Sequence, residues 1–231
     1  MRARLVFMSL VGLCLAGSIA VSALAIAAPP STQNKGHAYG HHDDVTTTDT
    51  PGVKARMEMR KLWEDHIVFT HAYVISATSN LPDAQPVLQR LLKNQDDIGN
   101  AIKPYYGEAA GGKLSTLLRE HITIAVAVVK AAMANDKTAL TTEQQKWSAN
   151  GKSIASFLSG ANPNWKQADL EQMMQTHLDL LTNAVVARLN KDWTAEIKAY
   201  DDGHDHILKM ADALSAGIEK QFPDKFAQSS N

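Results

Sequence analysis

Three histidines stand in one local frame at almost equal spacing, and this recurrence constrains the fold of the chain more than any other feature. His66, His121 and His177 are separated by 55 and 56 residues. Their surroundings read Leu62-Trp63-Glu64-Asp65-His66-Ile67, Leu117-Leu118-Arg119-Glu120-His121-Ile122 and Met173-Met174-Gln175-Thr176-His177-Leu178. Each frame has two apolar residues, two mostly polar ones, the histidine and then an apolar residue. A fixed period in this range predicts a repeated supersecondary unit. Such a unit places three imidazoles at equivalent depths, from which they can converge.

The unit reads as a helical hairpin of about 55 residues, counted from the histidine spacing. Thr50-Pro51 forms an N-cap followed by proline at the first helical position. Leu62, His66, Phe69 and Tyr73 then share one helical face, as do Leu117, His121, Ile124 and Val128. Met173, His177, Leu180 and Ala184 continue the pattern. Asn80-Leu81-Pro82-Asp83 ends the first helix, and Pro104 with Gly107 ends the second. A third helix is expected after Gly111-Gly112. A fourth is expected after the capping-box-like Thr141-Thr142-Glu143-Gln144. Two more are expected near Trp165 and Thr194, the last ending before Pro223. The second helices can also be overlaid through Asn94, Asn150 and Gly203, which pairs Asp97, Ser153 and His206, each just before an isoleucine. No stretch alternates with period two. The expected fold is all-α: an antiparallel bundle of about six helices built from three hairpin repeats, over residues 51–223.

Upstream, Met1-Arg2-Ala3-Arg4 precedes an apolar run from Leu5 to Ala28, with small-x-small sites near Ala25 and Ala27. This fits a secretory signal peptide over 1–28 and hence a periplasmic or extracellular location. An uncleaved anchor is the alternative, because the run approaches membrane-spanning length. Residues 29–50 read as a flexible leader containing His37, His41 and His42, either a tract able to bind metal loosely or a polar linker that merely contains histidines. Residues 224–231 form a tail. Cleavage would remove Cys14, the only cysteine, so stability must come from a packed core or a ligand. Loss of Arg2 and Arg4 leaves 21 basic against 24 acidic residues, a net charge of −3 with neutral histidines. That balance gives no case for nucleic acid as partner.

A single histidine on an apolar face is ordinarily a core residue with a hydrogen-bond partner. Three in one register point to a shared site. The candidate metal ligands are His66, His121 and His177, completed by His206 and Asp97. Imidazole-rich coordination suits a transition metal such as Zn, Cu, Fe or Ni and argues against Ca or Mg. No glutamate lies three residues before any of the three histidines, so the di-iron bundle pattern is absent. His71 reads as a surface or supporting group, and Asp179 and Asp205 as carboxylates able to orient an imidazole. There is no Gly-x-Ser-x-Gly elbow and no phosphate-binding glycine loop after a strand.

Leu62-Trp63-Glu64-Asp65-His66, Lys93-Asn94-Gln95-Asp96-Asp97-Ile98-Gly99-Asn100-Ala101-Ile102 and Leu189-Asn190-Lys191-Asp192-Trp193 resemble a group of uncharacterised secreted bacterial helical proteins. The resemblance covers most of the chain after Pro51 and implies a secreted α-helical domain. It supplies no catalytic residues. Some of that group carry an automatic glycosyltransferase label, but nucleotide-sugar transferases generally need an α/β fold, and this chain lacks the strands. The functional expectation is an exported metal-binding bundle for buffering, sensing or delivery. The alternatives are a structural or interaction protein of the cell envelope, and a metal-dependent enzyme.

Overall fold

Thr50 caps the first helix as its sequence dictates: its hydroxyl accepts from the Val53 amide at 3.2 Å, and Pro51 occupies the first turn. The computed structural model describes residues 50–227, and every regular element among them is helical. The signal and leader assignments lie outside the described residues, Thr50 excepted, as does the end of the tail. The elements are α1 (Pro51–Thr78), α2 (Ala84–Met133), α3 (Lys137–Ala161), α4 (Gln167–Leu189) and α5 (Trp193–Gln221), then a 3-10 turn at Pro223–Lys225. Helices α1 and α2, α2 and α3, α3 and α4, α4 and α5, and α1 and α5 pack together. No helix of the described residues is long and apolar enough to cross a membrane.

There are five helices where about six were expected. The difference lies in α2, which runs through Pro104 and Gly111-Gly112 and is broken at only one of the expected residues, Gly107, without a gap between its two arms. Its one non-helical residue is Gly107, at φ 84° and ψ 170°, a conformation essentially confined to glycine. The chain reverses at that point. The Gly99 carbonyl lies only 2.6 Å from where a Cβ on Gly111 would stand. Arg119, on the second arm, donates to the Leu92 carbonyl at 3.2 Å and to Asp96 at 2.9 Å on the first. Two glycines facing each other let the arms touch backbone to backbone.

The start of α3 also differs from expectation. Asp136 caps it, accepting from the Ala139 amide at 3.0 Å. Thr141 and Thr142 lie inside the helix, where their hydroxyls donate to the Lys137 and Thr138 carbonyls. A capping box therefore reads as a helix start only when no better cap precedes it.

The turns after α1, α2 and α4 are the same turn. Asn80, Asn135 and Lys191 take positive φ of 51°, 53° and 60°, each 14 residues after a histidine of the triplet. The amides of Leu81, Asp136 and Asp192 then reach back to the carbonyls of Ser76, Ala131 and Ala187 at 2.9–3.0 Å. That long back-bond closes a helix C-terminus. The core is layered in the same register. Met59, Leu114 and Leu170 are buried seven residues before the histidines, and Trp63, Leu118 and Met174 three before. Val74, Val129 and Val185, eight after, form a cluster of their own. The buried stripe is thus centred one step around the helix from Leu62, Leu117 and Met173, of which Leu62 and Met173 are only partly buried.

Candidate functional site: a buried histidine layer

His66, His121 and His177 come from α1, the second arm of α2, and α4, and all three are buried. The His66 and His177 ring centroids are 5.6 Å apart, and those of His121 and His177 are 6.0 Å apart. Such spacing suits a packed layer and a metal site equally, so the nitrogens decide between them.

His121 has both nitrogens engaged. Trp147 can only donate, so its Nε1–H, 3.0 Å away, makes His121 Nε2 an acceptor. The ring proton therefore sits on Nδ1, which donates to Asn150 Oδ1 at 2.8 Å. Asn150 turns its amide nitrogen to the Leu117 carbonyl at 3.2 Å, which fixes its orientation. His66 Nδ1 accepts from the Gln95 amide nitrogen at 3.3 Å. That same nitrogen also faces the Leu91 carbonyl (2.8 Å) and Asn94 Oδ1 (3.1 Å), so its two hydrogens are shared among three acceptors, of which His66 is the most distant, and turning the amide over would set oxygen against oxygen. Gln95 Oε1 and Trp63 Nε1 are buried with no partner among the described residues. His177 makes no side-chain hydrogen bond among the described residues.

Burial keeps these rings neutral. Desolvation, then the neighbouring His121, lowers His66 from 6.5 to about 3 against the opposing Gln95 bond. Desolvation lowers His121 to about 4 against the Asn150 bond. His177 is held well below 6.5 by desolvation and then by His66, His121 and His206. A cavity of about 20 Å³ lies against the three rings, walled by Val74, Val129, Leu91, Trp147 and Leu181 among others. One water would fit, but walls this apolar offer it few partners.

The other candidate ligands lie elsewhere. Asp97 is paired with Lys93 at 2.7 Å, one turn away on the same helix. His206 is half-buried and bonds through Nε2 to the Met173 carbonyl at 2.9 Å. Asp179 and Asp205 are exposed, and Asp179 accepts from Gln175. Among the described residues, no group of three or more His, Cys, Asp or Glu side chains is placed to hold a metal ion.

His206 belongs to a different repeat. Asn94 donates to the Leu62 carbonyl (2.9 Å), Asn150 to that of Leu117, and His206 to that of Met173. Each acceptor lies four residues before a histidine of the triplet. The structural equivalents are therefore Asn94, Asn150 and His206, followed four residues on by buried Ile98, Ile154 and Met210. The sequence overlay through the isoleucine after His206 was three residues out of register in this segment.

Sequence reading missed a second polar cluster. Buried Glu196 accepts from Arg188 at 3.1 Å through both oxygens and lies 2.9 Å from His71 Nε2. Arg188 also donates to Thr78 and Ser79, tying α4 and α5 to the end of α1. His71 stacks on Tyr200 at 4.2 Å. The available signal was a charged pair, Arg188 and Glu196, flanking the Lys191-Asp192 turn.

No protein-family model matches this chain, and neither the curated proteins nor the solved structures contain a significant match.

Proposed function

We propose that the chain is an exported structural or interaction module of the cell envelope, made of three copies of one helical hairpin, whose histidines form the polar layer that sets how the copies meet. The hairpins are α1 with the first arm of α2, the second arm of α2 with α3, and α4 with α5. The observation that carries this reading is His121, neutral and saturated by Trp147 and Asn150. A ligand position poised for metal would keep one nitrogen lone pair free. The recurring side-chain-to-carbonyl bond in each hairpin supports the same view, because it clamps helix to helix at the level of the layer. Export rests on the N-terminal pattern alone, as does kinship with secreted helical proteins on the quoted segments.

A transition-metal ion is the second reading, favoured by three neutral imidazoles in one layer and by His177, which has no hydrogen-bond partner among the described residues. It requires Trp147 to leave His121 Nε2. Equilibrating residues 50–231 with Zn or Cu and then measuring metal content and melting temperature separates the two. This fragment lacks the leader histidines, which could bind metal on their own. The structural reading expects sub-stoichiometric metal and an unchanged melting temperature. Near-stoichiometric retention with a raised melting temperature transfers the assignment to metal binding, since a ligand held only by the folded state must stabilise it.

A further inference from the structure

The three hairpins differ at one buried position, three residues before the clamping side chain. It holds Leu91 in the first, Trp147 in the second and Gly203 in the third. Trp147 fills its place and donates to His121. Gly203 fills nothing: a Cβ there would find its nearest neighbours, Ile67 and Leu180, at 3.9 and 4.0 Å. A cavity of about 10 Å³ remains beside it, at the lower limit for one water. Its polar lining consists of His177, His71 and Tyr200, among apolar neighbours such as Ile67 and Leu180. His177 is 97% buried and makes no side-chain hydrogen bond among the described residues. His71 commits Nε2 to Glu196, which leaves Nδ1 available.

We propose that this cavity is a binding site for one water, which bonds His177 and joins the histidine layer to the His71–Glu196–Arg188 cluster. The water occupies the place that the Trp147 indole takes beside His121. A buried imidazole nitrogen without a partner carries a substantial desolvation cost, and one molecule held at the His177, His71 and Tyr200 side of this mostly apolar space removes it. The chain Glu196, His71, water, His177 would then connect the interior layer to a half-exposed edge of the domain. This inference does not depend on whether the layer is structural or binds a metal.

Two measurements on the full chain test it. A high-resolution crystal structure should show a water within about 2.7–3.2 Å of a His177 nitrogen; a dry cavity, or a His177 nitrogen bonded to a protein atom, overturns the assignment. Long-range ¹H–¹⁵N spectra of ¹⁵N-histidine protein should show the His177 nitrogens shifting in Gly203→Ala, whose added methyl takes the water's space without a clash. The His121 nitrogens, bonded to Trp147 and Asn150, should not move. Unchanged His177 resonances in the folded variant also reject the site.

Discussion

His121 is the residue at which chemistry, packing and register meet. Replacing it with alanine would strand the Trp147 N–H and the Asn150 carbonyl oxygen in the core and leave a ring-sized void. Each stranded group costs about 1–3 kcal/mol, so His121→Ala should lose about 3–5 kcal/mol in urea unfolding. Trp147→Phe keeps most of the volume and removes one donor, so its loss should be near 1–3 kcal/mol. Equal losses in the two variants would mean that the hydrogen bond to Trp147, not the bulk of the ring, is what His121 contributes. His206 offers a sharper contrast. If it does the work that Asn94 and Asn150 do in the other hairpins, His206→Asn should stay within about 1 kcal/mol of wild type while His206→Ala loses more, about 1–3 kcal/mol for the unpaired Met173 carbonyl. Asparagine behaving as badly as alanine would contradict that equivalence. The histidine triplet could be read from the chain because helical periodicity and a long repeat act together on one residue type. Its partners could not: Gly203-His204-Asp205-His206 offers two histidines and an aspartate within one turn. Only the distance to the Met173 carbonyl chooses among them.

At the scale of the helix, the glycines of α2 decide whether the arms can close. Gly107 has φ 84° and ψ 170°, where any Cβ is strained, so Gly107→Ala should cost about 1–3 kcal/mol. Gly111→Ala is a separate case, because it is a matter of space. Its new Cβ would meet the Gly99 carbonyl at 2.6 Å and the Lys103 side chain closer still. Backbone cannot yield as a flexible side chain can, so the arms must splay, at about 1–3 kcal/mol. Thermal denaturation should show both losses; if Gly112→Ala, which meets nothing within 4 Å, were as damaging, close approach would not be the cause. Helix caps were legible where they are local, as at Thr50, which needs only its own side chain and the next turn. The break expected at Pro104 and Gly107 falls at Gly107, while Pro104 and Gly111-Gly112 lie within helix, because proline and glycine composition marks a disruption without saying which residue makes it. The chain reverses at Gly107 alone, and Gly111 serves contact instead of turning. That distinction depends on Gly99, which sits twelve residues away in sequence and across the interface in space.

For the whole molecule, a layer of neutral imidazoles links stability to pH. In the unfolded chain each histidine titrates near its ordinary 6.5, whereas in the fold His66 is lowered to about 3 and His121 to about 4. A histidine whose folded value is depressed gives up stability when the unfolded chain binds protons that the folded chain refuses. The contribution is therefore intact above about pH 6.5 and is lost as pH falls from there toward 4 and 3. At pH 5 each ring has lost about 1.5 pH units of linkage at about 1.36 kcal/mol per unit, or about 4 kcal/mol for the two together. His177 adds to this in the same direction. Against the roughly 5–15 kcal/mol that holds an ordinary domain folded, that is enough to lower the urea midpoint severely or to unfold the protein. Urea titrations at half-unit steps from pH 7.5 to 4.5 should give a flat plateau and then a decline beginning near 6.5. His66→Gln should shallow that decline by about one proton's worth, because glutamine can be buried without titrating. A midpoint constant down to pH 5 would require the imidazoles to take up protons while folded, and so to reach water. The buried three-ring layer would then not be the form the protein keeps in solution.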